Sequence, residues 1–269
     1  MIRADYHTHT CYCDGHNTPR EMVGRAVELG LEYYGFSSHC FTWMKNPILT
    51  NVPEYIKDCK RVREEFKDRI TILIGMEQEN LLGGTVYSDI EYSIGSTHYI
   101  FDKGEFLCLD NSADEFEMNC LSHFGGNYYK YAKAYYETEA EVVKNTDCTF
   151  IGHFDLITKY NEGGRFFDES DKRYTDSALE ALTHLSKAGV PFELNTSQYV
   201  KKRKREMYPS MFLLKKMHEL KCEIILSSDS HKKEMIGTGF GEAAEMAKEC
   251  GFNHVNILTD NGFKQISLY

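Results

Sequence analysis

Residues 70–77 read Ile-Thr-Ile-Leu-Ile-Gly-Met-Glu. The run to Met76 has the composition of a β-strand, and it is followed at once by a carboxylate. Glu77 is costly to bury there unless it is paired or bound to a metal ion. The same ending recurs along the chain with histidine in the place of the acid. Gly35-Phe36-Ser37-Ser38-His39, Gly95-Ser96-Thr97-His98 and Ile151-Gly152-His153 each close a strand-like run on an imidazole. The first run, 2–9, carries His7 and His9 two apart, so both rings point to one strand face. Further on, Ser227-Ser228-Asp229-Ser230-His231 places an acid and a histidine at the same spacing.

Amphipathic helical runs alternate with these strands. Thr18-Pro19-Arg20-Glu21 is a capping box with proline at the first helical position. Met22, Val23, Ala26, Val27 and Leu29 give that helix its apolar face, and Gly30 is placed to end it. Asn51-Val52-Pro53 opens a second helix, with Tyr55, Ile56, Cys59, Val62 and Phe66 at helical spacing. Further helices are expected over 175–188, 209–220 and 238–250, and strands over 33–38, 92–95, 149–152, 190–195, 223–228 and 255–258. The aromatic-rich stretch around 101–145 is expected to be a mostly helical insertion in a single domain spanning 1–269. Repeated β–α units fit a barrel or a doubly wound sheet. A barrel gathers strand ends from many units onto one face, whereas an open sheet spreads them along a line. The strand-end histidines and acids therefore favour an α/β barrel of seven or eight units.

Bulk properties narrow the function. At 269 residues with 42% hydrophobic content, the chain can bury a large core without disulfides. A net charge of -10 argues against a general nucleic-acid partner, because the overall field repels phosphate backbones. No signal-peptide pattern and no membrane-spanning apolar run is present. Nine scattered cysteines are expected to be reduced thiols, which points to a cytoplasmic protein.

An isolated His-x-His pair suits a hydrogen-bonded structural pair as well as a metal. Five further strand endings of the same kind make a wholly structural reading improbable. In the loop Cys11-Tyr12-Cys13-Asp14-Gly15-His16, both Asp14 and His16 qualify as ligands. The turn at Gly15 aims only one of them inward, and Asp14 is preferred. Cys11 and Cys13 form a C-x-C without a second cysteine pair, so a structural zinc site is not expected. His123, His184, His218 and His254 lack the strand-end context and are read as structural or exposed.

The order of these motifs resembles the PHP (polymerase and histidinol phosphatase) superfamily, from His7 to His231. Gly95-Ser96-Thr97-His98-Tyr99-Ile100, Ile151-Gly152-His153-Phe154-Asp155 and Glu193-Leu194-Asn195-Thr196-Ser197 are most similar to its monofunctional histidinol-phosphate phosphatases. The resemblance implies a distorted (β/α)7 TIM-like barrel with three divalent metal ions, which His and carboxylate ligands accept as Zn, Fe or Mn. It implies one metal on His7, His9, Glu77 and Asp229, and a second on Glu77, His98 and His153. A third falls to Asp14, His39 and His231. The implied reaction is hydrolysis of L-histidinol phosphate by attack of a metal-bridging hydroxide, with Asp229 as proton shuttle. A nucleotide or other small phosphate ester is the alternative substrate. Arg165, after Gly163-Gly164, and Arg203, within Lys201-Lys202-Arg203-Lys204-Arg205, are the expected phosphate-binding residues. Glu115 and Asp155 are alternative partners for the substrate ammonium.

Overall fold

A computed structural model describes residues 2–40, 51–82, 87–200 and 207–269. The first half of the chain runs β1 (Ala4–Asp5), α1 (Pro19–Glu28), β2 (Tyr33–Phe36), β3 (His39–Cys40), α2 (Val52–Phe66), β4 (Thr71–Glu79) and β5 (Tyr92–Ser96). There follow β6 (Tyr99–Asp102), β7 (Glu105–Cys108), α3 (Ala113–Phe124), α4 (Tyr128–Glu139), α5 (Val142–Thr146) and β8 (Phe150–Ile151). The last part is α6 (Lys172–Leu185), β9 (Phe192–Asn195), α7 (Ser197–Val200), α8 (Met211–Glu219), β10 (Ile224–Ser227), α9 (Phe240–Glu249), β11 (His254–Thr259) and β12 (Gly262–Ser267).

β1, β2, β4, β5, β8, β9 and β10 hydrogen-bond in that order, and each of these pairings is parallel. The row curls until its ends meet. Just beyond β1 and β10, Thr8 pairs in parallel with Ser230. There His9 N donates to Ser230 O at 2.8 Å and Ser230 N donates to His7 O at 3.0 Å. Asp5, fully buried, ties the same seam by accepting from Ser228 N at 3.1 Å and Gly237 N at 3.0 Å. Burial pushes its carboxyl up to about 6, against the hydrogen bonds from Ser228 and Gly237. The result is the distorted (β/α)7 TIM-like barrel, closed through the residues that carry the His7–His9 pair.

Local sequence sets the frame as expected at several points. Thr18 N donates to Glu21 Oε2 at 2.9 Å and Glu21 N donates back to Thr18 Oγ1 at 3.3 Å, completing the capping box of α1. Asn51 Oδ1 accepts from Glu54 N at 3.1 Å to start α2. Gly35 in β2 and Gly75 in β4 leave the room that one buried ring, Tyr92, occupies; a Cβ at either would overlap it. The Tyr92 hydroxyl lies 2.6 Å from Tyr6 O and 2.9 Å from Phe36 O. The chain before His7, the strand before His39 and the strand carrying Glu77 are thus fixed on a common side chain.

Two hairpins depart from the sequence expectation. The stretch around 101–145 is helical in α3 to α5, but β6 and β7 form an antiparallel hairpin ahead of them. Its aromatic content is read out as packing: Phe116 lies 4.9 Å from Tyr131, and Tyr136 lies 5.5 Å from Phe154 at the barrel rim, between ring centroids. The expected last strand is β11, which pairs antiparallel with a further strand, β12. The two-residue turn between them is Asp260-Asn261, and Gly262, at φ 96°, opens β12 directly after it.

Candidate metal centre

The strand-end residues converge on one space at the C-terminal rim. Glu77, with a side chain 1% exposed, stands at its middle. Its Oε2 lies 3.2 Å from His7 Nε2, 3.6 Å from His9 Nε2 and 2.9 Å from His39 Nδ1. Its Oε1 lies 3.2 Å from His153 Nε2 and 3.4 Å from His98 Nε2. Asp229 Oδ1 is 3.2 Å from His9 Nε2 and 3.7 Å from His7 Nε2. Asp14 faces His231 Nε2 at 3.1 Å and His39 Nε2 at 3.6 Å.

Among the described residues the ligand atoms fall into three overlapping groups, His7 with His9 and Asp229, His39 with Glu77 and His98, and His9 with Asp14, His39 and His231. His9 and His39 each belong to two groups, whereas the implied sets shared Glu77; His153 falls in none of the three and meets the centre through Glu77 Oε1. His16 is exposed, and Asp14 is the residue the loop brings inward. The turn that does this is tight: Gly15 N donates to Thr10 O at 3.1 Å, and a Cβ on Gly15 would overlap the His9 backbone.

Buried polar atoms normally find hydrogen-bond partners. His7 Nε2, His9 Nε2, Asp14 Oδ1 and Glu77 Oε2 are buried without one. Imidazole nitrogens and carboxylate oxygens left open in this way suit divalent cations with N and O ligands. The electrostatics agree. Burial opposes charge on Glu77, yet His7, His39 and His98 hold its carboxyl well below the usual range. Burial, with His231 and His39 nearby, pushes His9 down to about 3, leaving a neutral imidazole with a lone pair to give. Asp229 adopts a left-handed backbone, φ 49°, which is uncommon outside glycine and costs strain of a kind that gathers at functional sites.

Several partners of the centre were not singled out from the sequence. His7 Nδ1 lies 2.6 Å from Glu193 Oε1, and His98 Nδ1 lies 3.0 Å from Glu79 Oε2. Both acids sit in buried strands, the signal that marked Glu77. Lys159 donates from Nζ to Asp110 O at 2.9 Å and Asp110 Oδ2 at 3.1 Å. Burial works against the Lys159 charge, but Asp110, Tyr160 and the more distant Asp229 raise its pKa.

Arg165, in the loop after β8, is turned toward the insertion, 3.8 Å from Glu117 of α3 and 4.6 Å over the Phe166 ring. Arg203 lies outside the described residues. Asp155 is fully buried, and its Oδ2 accepts from Ser210 N at 2.9 Å ahead of α8. Glu115 is bound by Asn111 near the start of α3. His123 is bonded to Asp102 and His254 to Glu223, in keeping with structural roles.

A parallel TIM-like barrel with interlaced His, Asp and Glu groups at its C-terminal rim is the architecture of a multinuclear metal enzyme. The PHP domain model matches residues 5–197, and the chain belongs to that family. A probable histidinol-phosphatase of Deinococcus radiodurans is 30% identical, covering 92% of this chain and 93% of its own. The histidinol-phosphatase of Lactococcus lactis is 27% identical over 98% of this chain and 96% of that protein. A crystal structure of histidinol phosphate phosphatase from Lactococcus lactis, complexed with Zn, L-histidinol and phosphate, superposes with a TM-score of 0.71 at 24% identity. It covers 97% of this chain and 98% of that one. Among the described residues, no helix is long and apolar enough to cross a membrane.

Proposed function

We propose that this chain is a metal-dependent phosphomonoesterase that hydrolyses L-histidinol phosphate to L-histidinol and inorganic phosphate in histidine biosynthesis. The observation that carries the reading is the convergence of His7, His9, Asp14, His39, Glu77, His98, His153, Asp229 and His231 on one rim, with buried ligand atoms left open. The histidinol-phosphatase names of its full-length relatives give the substrate. Divalent ions held by these residues, whether Zn, Fe or Mn, lower the pKa of water to about 7 and neutralise charge on the phosphoryl oxygens.

The side chains do the rest. Glu193 and Glu79 orient the imidazoles of His7 and His98 from behind. Glu77 is enclosed, whereas Asp229 is 14% exposed and open to a substrate. Asp229 carries the proton from the attacking water to the departing alkoxide oxygen. Lys159, Arg165 and Arg203 supply the cations for a phosphate dianion. A small ester suits a chain of net charge -10 better than a nucleic acid does, and the cytoplasm is its proposed location.

The test compares kcat/KM for histidinol phosphate with that for a nucleoside 5′-monophosphate, under defined metals. A preference for histidinol phosphate of two orders of magnitude or more is expected; equal turnover would point to a broader phosphoesterase. Arg203→Ala removes one charge-assisted hydrogen bond, of about 1.5–3 kcal/mol, and is expected to raise KM roughly ten- to a hundredfold. An unchanged kcat/KM would take Arg203 out of the site.

A further inference from the structure

The imidazoles of the centre are supported from behind in different ways. A ligating histidine ordinarily donates its second ring N–H to a carboxylate, carbonyl or water, which fixes its tautomer. His7 and His98 have Glu193 and Glu79 in this place, and His231 Nδ1 lies 3.1 Å from Asp229 O. At His9 the corresponding atom meets sulfur: Cys13 Sγ is 3.6 Å from His9 Nδ1 and 3.5 Å from Thr10 O. The thiol is 5% exposed, and its position is set by a turn in which Cys13 N donates to Thr10 O at 2.9 Å. Asp14 Oδ1, at 3.7 Å from the same nitrogen, is beyond hydrogen-bond distance.

We propose that Cys13 is a positioning residue of the metal centre, its sulfur accepting the Nδ1 proton of His9 while its S–H donates to the Thr10 carbonyl. The arrangement rests on reading His9 as a ligand through Nε2, the buried atom that faces Asp229 Oδ1 at 3.2 Å. With the proton held at Nδ1, the Nε2 lone pair stays directed at the metal. A thiol does this without adding negative charge, beside a ligand whose two groups already hold Asp14 and Asp229. The same turn carries Asp14, so the sulfur couples two ligands of one group through a single side chain.

The test titrates the metal-free protein with Zn2+ against a chromogenic chelator, in the absence of substrate. Cys13→Val keeps the bulk and removes both hydrogen-bonding functions, while Cys13→Ser keeps them on a shorter arm. The valine variant is expected to weaken at least one Zn2+ binding step by about 10–100-fold, and serine to restore most of that loss. Metal-free forms should melt like the parent; if valine prevents folding, Cys13→Ala removes the same functions without a branch. Parental Zn2+ affinity in the valine or alanine variant would overturn the proposal, and so would serine as weak as valine. Because affinity is read without substrate, a chain that hydrolysed some other ester would leave this result standing. A parent that bound no Zn2+ would remove the metal reading itself.

Discussion

Glu77→Gln is expected to abolish phosphatase activity that added metal cannot restore. The carboxylate stands between two sets of imidazoles, with Oε2 facing His7, His9 and His39 and Oε1 facing His98 and His153. Both oxygens are therefore needed as acceptors or ligands. Glutamine offers one oxygen and turns two N–H donors toward imidazole nitrogens that must give lone pairs to metal. It also removes the negative charge that draws cations into a buried pocket. The loss should exceed the roughly 10²–10³-fold seen when one preorganised donor is removed from a transition-state site. The measurement pairs kcat with elemental analysis. Chelator-treated parent protein should lose its activity and regain it with Zn2+ or Mn2+, while the variant stays inactive and metal-poor. A variant keeping a tenth of the parental kcat would show that Glu77 is not the shared ligand.

The strand endings were legible because burial leaves so few explanations for an imidazole or carboxylate after an apolar run. His39, Glu77, His98 and His153 announce themselves in that way, and a barrel is the arrangement that brings such endings together. The capping box at Thr18 and the Asn51 cap were readable for a local reason, since each acts within four residues. The tight turn at Gly15 let only one of Asp14 and His16 point inward, but did not by itself choose between them.

What escaped was mostly contact between distant segments. Glu193 carries the same signal as Glu77, a carboxylate in a buried strand, but its partner His7 is 186 residues away. Arg165 was legible as a cation after a glycine pair, whereas its direction depends on Glu117 in α3, which no spacing rule supplies. The β6–β7 hairpin was hidden because aromatic residues suit strands and packed helices alike.

Glu193→Gln is expected to cost about 10–100-fold in metal affinity or activity, although glutamine has nearly the same shape. The reason lies in the four donors that surround the acid. His7 Nδ1 and the Ser227 hydroxyl meet Oε1, while His153 N at 2.7 Å and Asn195 Nδ2 at 3.0 Å meet Oε2. A carboxylate accepts from all of them. An amide nitrogen placed at Oε2 would face two N–H groups, both buried. Placed at Oε1, it would turn the His7 ring to the other tautomer, with its hydrogen on Nε2, the atom aimed at Glu77 and Asp229. Either choice leaves a buried donor without an acceptor, at a cost of about 1–3 kcal/mol, or takes away a ligand. Zn2+ affinity and thermal unfolding, each measured on the metal-free protein, separate the outcomes: loss of affinity marks the tautomer, and loss of stability marks the unpaired donor. Parental values of both would mean that Glu193 does not govern His7, and that the ring is held from its Nε2 side, by Glu77 and Asp229.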